Sequence, residues 1–497
     1  MNFPYLTAII LLPVAGAIII TLLRNASPAV IKRLAAVFTF AAMALSIVVF
    51  VIFDKSLGAA GVMQFEESVS WIPALNAYYH LGVDGLSLPL VVLTAVLGFL
   101  VVLISWKIDL RPQQYFAWLL LLETSILGVF CSLDLLLFFL FWEIEVIPMY
   151  FLISIWGSGR KEYSSIKYVL YTLFGSALML AGILSLYFTT GSLNMLDLAQ
   201  SGLGSFRAVI PAVAMFFLLF AGFAVKLPVF PVHTWLPDAH TDAPTAGSVM
   251  LAGALIKMGG YGMIRVCVSI FPDMARSYAT IILVIAVISV LYGAAVTLRQ
   301  TDVKRMIAYS SISHMGYVLL GVFALTQVGL IGATMQMVSH GFVTGLLFAV
   351  TGLLMHNTHE RDLRKLGGLA RQMPIIAIIF SVAGLASLGL PATSGFAAEF
   401  LVFVGSFTST VVGGMYIYTL LCVLGVVLAA GYILWMIQRV FYGPVLEQFN
   451  GVADADKLER TSLFVFIAII MLVGIYPAIL TDVIKLGISP IIGMLAG

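Results

Sequence analysis

The chain has 497 residues, of which 62% are hydrophobic and 10% are charged, with a formal net charge of +2 and a mean hydropathy of +1.10. About a quarter of the residues in soluble domains are charged, so this composition excludes a soluble globular protein and predicts a polytopic membrane protein. The basic residues are scattered singly and give no indication of a nucleic-acid partner. Length alone would allow about three domains, but the apolar runs follow one another closely. We therefore expect one integral membrane domain over residues 1–497.

The cysteines and the first apolar run narrow the class further. Cys131, Cys267 and Cys422 lie far apart in apolar runs, without a CxxC pair or a histidine-rich neighbour. Such a set indicates neither an iron–sulfur cluster nor a structural zinc site, and we interpret the cysteines as small core residues. The run 4–22 is long enough to span a membrane and lacks a small-residue cleavage pattern, so no cleavable signal peptide is expected.

Taken in chain order, fourteen apolar stretches are each long enough for a membrane helix of about 20 residues. We number them spans 1 to 14; their approximate bounds are 4–22, 31–53, 84–105, 114–131, 133–156, 166–188, 209–227, 244–264, 278–298, 304–324, 329–356, 374–404, 411–438 and 461–480. The loops between them are short, apart from 54–83 and 189–208. The predicted fold class is an all-α polytopic membrane protein with fourteen transmembrane helices.

The basic residues support this arrangement of spans. Eighteen of the 25 lysines and arginines lie in or beside the odd-numbered loops, and two more lie inside spans. The even-numbered loops hold the other five, which are Lys55, Arg207, Arg265, Arg276 and Lys485. Cytoplasmic loops carry the excess of positive charge, so both termini are expected on the outer face, periplasmic or lumenal.

Ionisable residues inside the spans are the candidates for chemistry, because a lysine or aspartate at the bilayer centre costs about 2.5–3.5 kcal/mol. We expect few to persist there without a function. They are Glu123 in span 4, Glu143 and Glu145 in span 5, Lys226 in span 7, Lys257 in span 8, His314 in span 10, His340 in span 11 and Glu399 in span 12.

Glu143 has apolar neighbours at every helical offset, so its partner must come from another helix. Lys226 and Lys257 are the lysines inside spans, and a Glu–Lys pair is the natural complement. A buried lysine that gains or loses a carboxylate partner can change its protonation state near neutral pH. The alternative is a static ion pair that locks the bundle. Glu145 lies about 200° from Glu143 around a helix, and we expect it to pair across a helix contact or to meet a neighbouring subunit.

The remaining candidates leave alternatives open. Gln336, His340 and Thr344 recur every four residues, and such a polar stripe can hold waters and a titratable imidazole in a proton relay. His314 follows Ser310 by one turn in the same way, although a buried histidine can equally be a hydrogen-bonded core residue. Glu123 could join a charge network or bond to nearby hydroxyls.

Two interruptions of the apolar pattern fall at corresponding places in the two halves. The stretch "FAVKLPVFPVHTWLPDAH" (223–240) breaks span 7 after Lys226, and "LGLPATSGF" (388–396) breaks span 12 before Glu399. His233 beside the first break could cap freed backbone or relay protons. Paired broken helices indicate a transporter with inverted repeats, which we place at 114–264 and 278–438, with Lys226 and Glu399 at comparable places.

Five stretches carry a family resemblance: "FWEIEVIPMY", "VKLPVFPVHTWLPDAHTDAPTAGSVMLAG", "IKMGGYG", "QTDVKRMIAYSSISHMG" and "GLPATSGFAAEF". They resemble the antiporter-like proton-channel subunits of respiratory complex I, the NADH:quinone oxidoreductase. Glutamate at 399 resembles the M or subunit 4 type. Glutamate at 145 resembles the photosynthetic chain 4, also called the D chain, for which the electron donor would be ferredoxin and the acceptor plastoquinone.

This resemblance implies roles for the candidate residues. Glu143 and Lys226 would form the coupled pair of a first half-channel, Lys257 would pass protons towards the centre, His314 and His340 would link the halves, and Glu399 would gate the exit.

The resemblance also implies partners and a location. Quinone reduction elsewhere in a complex would drive proton translocation, with other membrane subunits, the lipid bilayer and protons as partners. Flavin and iron–sulfur clusters would belong to partner subunits, with no redox centre, cofactor or metal in this chain. The membrane would be the bacterial inner membrane or the cyanobacterial thylakoid membrane. The alternatives are a sodium/proton antiporter subunit of the Mrp kind and a structural membrane subunit.

Overall fold

A computed structural model describes residues 3–23, 25–202 and 208–496, and Arg24 and Arg207 lie outside these ranges. Helices dominate the fold. Their bounds are α1 Tyr5–Leu22, α2 Pro28–Ile52, α3 Lys55–Ala59, α4 Leu88–Ile104, α5 Pro112–Cys131, α6 Leu135–Ile144, α7 Val146–Trp156, α8 Lys161–Thr190, α9 Met195–Ser201, α10 Ala212–Lys226, α11 Trp235–Asp242, α12 Thr245–Met250, α13 Lys257–Gly262, α14 Pro272–Thr297, α15 Val303–Phe323, α16 Gln327–Thr358, α17 Pro374–Ser387, α18 Ser394–Phe407, α19 Met415–Phe441, α20 Lys457–Ile475 and α21 Ala478–Ala496.

The predicted polytopic helical class is confirmed. Among the described residues, 12 helices are long and apolar enough to cross a membrane, and four shorter apolar helices accompany them. Each of the fourteen predicted spans coincides with a helix or with a pair of consecutive helices. The exact number of crossings stays a prediction, because α21 also has the length and composition of a span.

Both predicted interruptions are present. α10 ends at Lys226 and the chain continues in turns until α11 begins at Trp235. Span 12 is divided into α17 and α18, with residues 388–393 between them. Lys226 therefore precedes its break, whereas Glu399 lies within the helix that follows its break, so the two positions are less alike than the sequence predicted.

The long predicted loop 54–83 contains a β-hairpin that the sequence analysis did not predict. β1 (Gln64–Ile72) pairs antiparallel with β2 (Ala77–Val83). Glu67 of β1 accepts hydrogen bonds from the backbone N–H groups of Leu6 and Thr7 at the start of α1. The hairpin thereby covers backbone donors that the first turn of a helix leaves unpaired.

The C-terminal helix α21 was also missed. It packs along α3 and against the start of α4, where a Cβ added to Gly85 would lie 1.9 Å from the carbonyl oxygen of Val483. The side-chain amide of Gln327, the first residue of α16, donates to Ser489 Oγ of α21 at 2.9 Å. Because α3 and the hairpin belong to one loop, α21 lies on the same side of the helix bundle as the hairpin.

The centre of the bundle is α15, α16 and the continuous helical segment Thr245–Val268, which are almost wholly buried. Two wide π-helical turns, Leu251–Leu255 and Met263–Val268, flank α13 within that segment. Single π turns in helices are rare and are frequently found at functional sites. The ionisable residues predicted to carry chemistry cluster around these three elements.

One residue used to assign the sides of the membrane lies elsewhere than predicted. Arg265 was placed in an outer loop, but it lies inside the segment Met263–Val268 and is buried. Its Nη2 is 2.6 Å from Asp84 Oδ1, and its Nε donates to the hydroxyl of Tyr261 at 3.3 Å. The ion pair neutralises the guanidinium, and this allows the helix to continue four residues past the predicted end at 264.

Candidate functional site

The break after α10 holds a buried ion pair. Lys226 is the last residue of α10, and its Nζ donates to Glu145 Oε1. The second oxygen of Glu145 accepts from the hydroxyl of Tyr168 in α8. Lys226 is 1% exposed and Glu145 is 0% exposed. Both charges are therefore removed from solvent and neutralise each other within the protein.

Aromatic rings surround this ammonium group. The Lys226 Nζ lies 5.6 Å from the ring centroid of Trp142 and 5.6 Å from that of Tyr168. Both distances are within the range of cation–π attraction. Trp235, the first residue of α11, donates its indole N–H to the carbonyl oxygen of Val225 at 2.9 Å. This hydrogen bond joins the start of α11 to the end of α10 and so helps to fix the position of Lys226.

The predicted partner of Lys226 is wrong. Glu145 makes the ion pair, and Glu143 does not, because the helix of span 5 turns between α6 and α7 at Glu145 and presents that residue to α8 and α10. Of the two roles expected for Glu145, it takes the first, pairing across a helix contact. The side chains of Glu143 and Glu145 point in different directions, as their helical offset predicted.

Glu143 instead lines an open, apolar groove formed with Val146, Ile147, Tyr150 and other side chains of α7 and α8. Its Oε1 is buried and has no hydrogen-bond partner in the described residues. The carboxylate still lies close enough to Lys226 to interact with it electrostatically. Lys226 thus has one carboxylate in direct contact and a second at longer range.

A second cluster occupies the centre of the bundle. Lys257 opens α13, and its Nζ donates to the carbonyl oxygen of Ala252 and to His340 Nδ1, the latter at 2.7 Å. The His314 and His340 rings are 5.4 Å apart between centroids. The structure thus brings together Lys257, His314 and His340, three residues that the sequence had placed on three separate spans.

The polar stripe on α16 is partly engaged with this cluster. Thr344 Oγ1 lies 3.3 Å from His340 Nδ1 and also donates to the His340 carbonyl oxygen. Within the described residues Gln336 Oε1 and His340 Nε2 are buried without a hydrogen-bond partner. The Ser310 hydroxyl donates to the Ile307 carbonyl oxygen at 2.8 Å, so it does not extend the stripe of α15 towards His314.

Glu399 lies beyond the second break, in α18, and is 6% exposed. Its carboxylate lies against Gly389 in the break, since a Cβ added to that glycine would lie 2.8 Å from Glu399 Oε2. Ser339 of α16 donates to Ser394 at the start of α18 at 2.7 Å. The half-helix that carries Glu399 is therefore tied to the helix that carries His340.

Glu123 and His233 are buried without hydrogen-bond partners in the described residues. The Glu123 carboxylate packs against Gly98 of α4, and neither of the alternatives predicted for it, a charge network or hydroxyl partners, is seen. His233 stacks near Phe230, with centroids 5.8 Å apart, and lies 5.0 Å from the ring of Tyr292. It therefore does not cap the freed backbone of the break.

His240 was not among the residues predicted from the sequence. This residue lies in α11 and is 0% exposed, and neither of its ring nitrogens has a hydrogen-bond partner among the residues described. Its ring stacks on Phe348 of α16 at 4.6 Å and 4°. No local pattern in the sequence marked it, because prolines and acids surround it.

Comparison with known proteins identifies the family. The model of the NADH:quinone oxidoreductase/Mrp antiporter transmembrane family matches residues 132–427, more than half of the chain. The chain belongs to this family. Its residues Glu145, Lys226, Lys257, His340 and Glu399 all lie within the matched region. No group of three or more His, Cys, Asp or Glu side chains able to hold a metal ion occurs in the described part of the chain.

Relatives in the family extend over nearly the whole chain. It is similar to NAD(P)H-quinone oxidoreductase chain 4 1 of Synechococcus elongatus, with 41% identity over 97% of this chain and 90% of the relative. It is also similar to NADH-quinone oxidoreductase subunit M of Rhodobacter capsulatus, with 38% identity over 96% and 94%.

A solved structure confirms the fold. A chain of respiratory complex I from Thermus thermophilus with bound NADH superimposes with a TM-score of 0.89 at 27% identity, over 99% of this chain and all of that one. The chain is thus an integral multi-pass membrane protein of the complex I type.

Proposed function

We propose that the chain is the proton-translocating membrane subunit of a complex-I-type NAD(P)H, or ferredoxin, quinone oxidoreductase. The relatives are named as subunits of NAD(P)H-quinone and NADH-quinone oxidoreductases. The observation that carries the proposal is the buried set of ion pair, central lysine, paired imidazoles and acid at the second break. Ionisable groups at membrane depth are costly, and where they occur they commonly mark ion or proton pathways.

The Lys226–Glu145 pair is the first element of the proposed path. While Glu145 holds Lys226, the ammonium form is favoured, because an adjacent carboxylate stabilises the charge. When the carboxylate is drawn away, burial disfavours the charged lysine and a proton is released towards Lys257 and His340. Glu143, the second carboxylate in electrostatic range, is the group that would compete for Lys226 and set the timing of release.

The second half of the path runs from the central cluster to Glu399. His340 can accept a proton from Lys257, with which it is in hydrogen-bond contact, and can share it with His314. Glu399, tied to α16 through the Ser339–Ser394 contact, would receive it and release it on the opposite side. Glu123 and His233 are proposed as side groups of the first half.

The wider arrangement is proposed on the same grounds. Other membrane subunits of a complex-I-type assembly are the partners, and the flavin and iron–sulfur clusters reside in further subunits. Residues 114–264 and 278–438 are proposed as inverted repeats of one membrane domain, each with one broken helix. Both termini are placed on the periplasmic or lumenal side, in a bacterial inner membrane or a cyanobacterial thylakoid membrane.

Glu145→Gln and Glu143→Gln in the intact complex test the proposal. The measurements are proton uptake into inverted membrane vesicles, quinone reduction, and assembly on native gels. We expect E145Q to lower proton pumping at least tenfold, because Lys226 loses its direct partner, and E143Q to reduce pumping and the coupled quinone reduction sharply. Glu162→Gln, an exposed residue near the start of α8, serves as the matched control. Full pumping in assembled E145Q and E143Q complexes would refute the proposal.

The family name includes Mrp antiporters, and this favours one alternative: a subunit that exchanges sodium for protons without an electron donor. Proton movement in vesicles that requires sodium and ignores quinone substrate would support that alternative. Proton movement that starts with quinone reduction and is unaffected by sodium would support the oxidoreductase subunit.

A further inference from the structure

A small cavity lies at the end of α16 that faces the odd-numbered loops. Its volume is about 110 Å³, and its lining includes Lys107, Thr245, Gly352, His356 and Glu459. These residues come from the loop between α4 and α5 and from the ends of α12, α16 and α20, all on the side rich in positive charge. A cavity of this size and polarity has room for a few water molecules.

The mouth of the cavity is charged and held in place. Lys107 Nζ lies 2.6 Å from Glu459 Oε1 and 3.1 Å from Asp456 Oδ2. The hydrogen bond that Lys107 donates to the Glu459 carboxylate raises the pKa of Lys107, so the ammonium form persists. Asp456 and Glu459 also form a capping box at the start of α20. The mouth is therefore a fixed polar surface on the inner side.

A row of residues on α16 leads from the cavity to the central cluster. His356, Gly352, Phe348, Thr344 and His340 recur every four residues and cover about 24 Å of helix. Gly352 leaves space for Thr245, whose Oγ1 would lie 2.2 Å from a Cβ at that position. Thr344 Oγ1 lies 3.3 Å from His340 Nδ1, so the end of this row that is remote from the cavity belongs to the central cluster.

This row of α16 has His240 packed against it. Phe348 is its apolar member, and the His240 ring stacks on it in parallel at 4.6 Å. The imidazole is fully buried, and both of its nitrogens are unpartnered in the described residues. Lys304, which donates to the Ala243 carbonyl oxygen at 2.7 Å, and Lys257 are the cations that interact electrostatically with it.

The neighbours of His240 in α11 face the inner surface. Asp238 lies 2.7 Å from Lys167 Nζ and 3.3 Å from Arg305 Nη1, and Asp242 accepts from the Ser164 hydroxyl at 2.6 Å. His240, between the two acids, points instead into the bundle towards α16. A neutral imidazole can take a proton on one nitrogen and release one from the other, which is the chemistry a relay at this point requires.

We propose that protons reach the Lys257–His340 contact from the inner face through this cavity and His240, by a route that does not pass through Lys226. The inference rests on the proposed function and deepens it. Each step moves one proton and leaves the relay group as it was: His240 receives a proton on the cavity side and gives one up towards Thr344 and His340. The central lysine then has its own supply from the inner face, in addition to the Lys226 pair.

His240→Phe in the intact complex is the first test. Phenylalanine keeps the stacking on Phe348 and removes both nitrogens. We expect proton pumping in inverted vesicles to fall at least tenfold, with the complex still assembled on native gels. Wild-type pumping in the assembled variant would overturn the inference.

A second test works whether or not that variant assembles. His356→Cys places a thiol at the exposed edge of the cavity, and a cationic, membrane-impermeant methanethiosulfonate reagent is added from the inner side. We expect labelling to lower pumping at least fivefold relative to the same unlabelled variant. His359→Cys, exposed directly after the end of α16 but outside the cavity lining, is the matched control, and the native cysteines are buried. Undiminished pumping after complete labelling of His356→Cys would overturn the inference.

The two proposals fail in different ways. Loss of pumping in E145Q together with normal pumping in H240F and in the labelled cysteine variant would leave the proposed function standing and remove this route. Normal pumping in E145Q and E143Q would remove the proposed function itself.

Discussion

At the scale of single residues, the site depends on which of two nearby acids faces a lysine. The sequence correctly indicated that Glu143 and Glu145 point in different directions, because two residues advance about 200° around a helix. It could not indicate which direction leads to Lys226, since both sides of span 5 are apolar. The decisive fact is a turn of the chain at Glu145 between α6 and α7. Pro148 in "FWEIEVIPMY" is its local signal, because proline has no N–H to donate to the carbonyl four residues earlier.

Other residues of the site were predictable for a clear physical reason. Lys257, His314, His340 and Glu399 were identified because charge at membrane depth is rare, and the structure buries all of them in the core. His240 was missed because three prolines and two acids surround it, which favours a loop interpretation. Burial of a polar segment by protein, rather than lipid, has no local sequence signal.

The packing of Glu123 yields a prediction at this scale. A Cβ added to Gly98 would lie 2.2 Å from Glu123 Cδ, with both carboxylate oxygens within 2.5 Å. We expect Gly98→Ala to destabilise the purified complex by about 1–3 kcal/mol through overpacking, seen as a lower thermal midpoint in detergent. The double variant Gly98→Ala, Glu123→Ala should recover most of the loss. An unchanged midpoint in Gly98→Ala would show that Glu123 has freedom to move.

At the scale of elements, the hydrophobic pattern was sufficient to place the helices and both breaks. Runs of about 20 apolar residues gave the spans, and Pro228, Pro231 and Pro391 gave the interruptions. The hairpin was missed because it lies against the bundle surface and its strands carry mixed sequences. α21 was missed because Asp482, Lys485 and Pro490 interrupt its apolar run, although its length and composition suit a span. The end of the segment Thr245–Val268 was misplaced because Arg265 finds Asp84, a contact between residues 181 positions apart.

The close contact between α13 and the end of α10 gives the element-scale prediction. A Cβ added to Gly259 would lie 2.6 Å from the Leu227 nitrogen and 2.6 Å from the Phe223 carbonyl oxygen, backbone atoms that cannot rotate away. We expect Gly259→Ala to reduce the amount of assembled complex and to lower pumping, since Lys226 is displaced together with the backbone beside it.

Gly431→Ala in α19 is the control for that substitution. There the nearest atom to an added Cβ is a Leu298 methyl group at 3.7 Å. Alanine should be neutral or should stabilise the helix by about 0.5–1 kcal/mol. Equal effects of the two substitutions, measured as complex yield and thermal midpoint, would contradict the tight contact at Gly259.

At the scale of the whole molecule, buried ion pairs join distant parts of the bundle. The Lys226–Glu145 and Arg265–Asp84 ion pairs each connect elements that are far apart in sequence. Buried pairs are costly to break because a single charge remains in the interior. The two pairs differ in their chemistry, since arginine keeps its proton under all physiological conditions. Lys226 is thus suited to transfer and Arg265 to structure.

A double-mutant cycle on the second pair tests this distinction. Arg265→Met alone should destabilise the complex by about 3–5 kcal/mol, because Asp84 is left buried and unpaired. Arg265→Met with Asp84→Asn should be close to neutral, as the amide oxygen still accepts the N–H groups of Leu86 and Ser87. The measurement is the thermal midpoint of the purified complex together with the pumping rate of what assembles. Additive losses would indicate that the two side chains act independently.

The two π turns around Lys257 have a consequence for its angular position. A π turn contains one more residue than the α turn it replaces, so the segments before and after α13 each offset the helical phase by about 100° per extra residue. Deleting one residue from the turn that precedes α13 would rotate Lys257 away from His340 while leaving both of these side chains in place. The contact between Lys257 and His340 therefore depends on the number of residues in this segment as well as on their identity. In a chain with one residue more or fewer there, the central lysine would point in another direction.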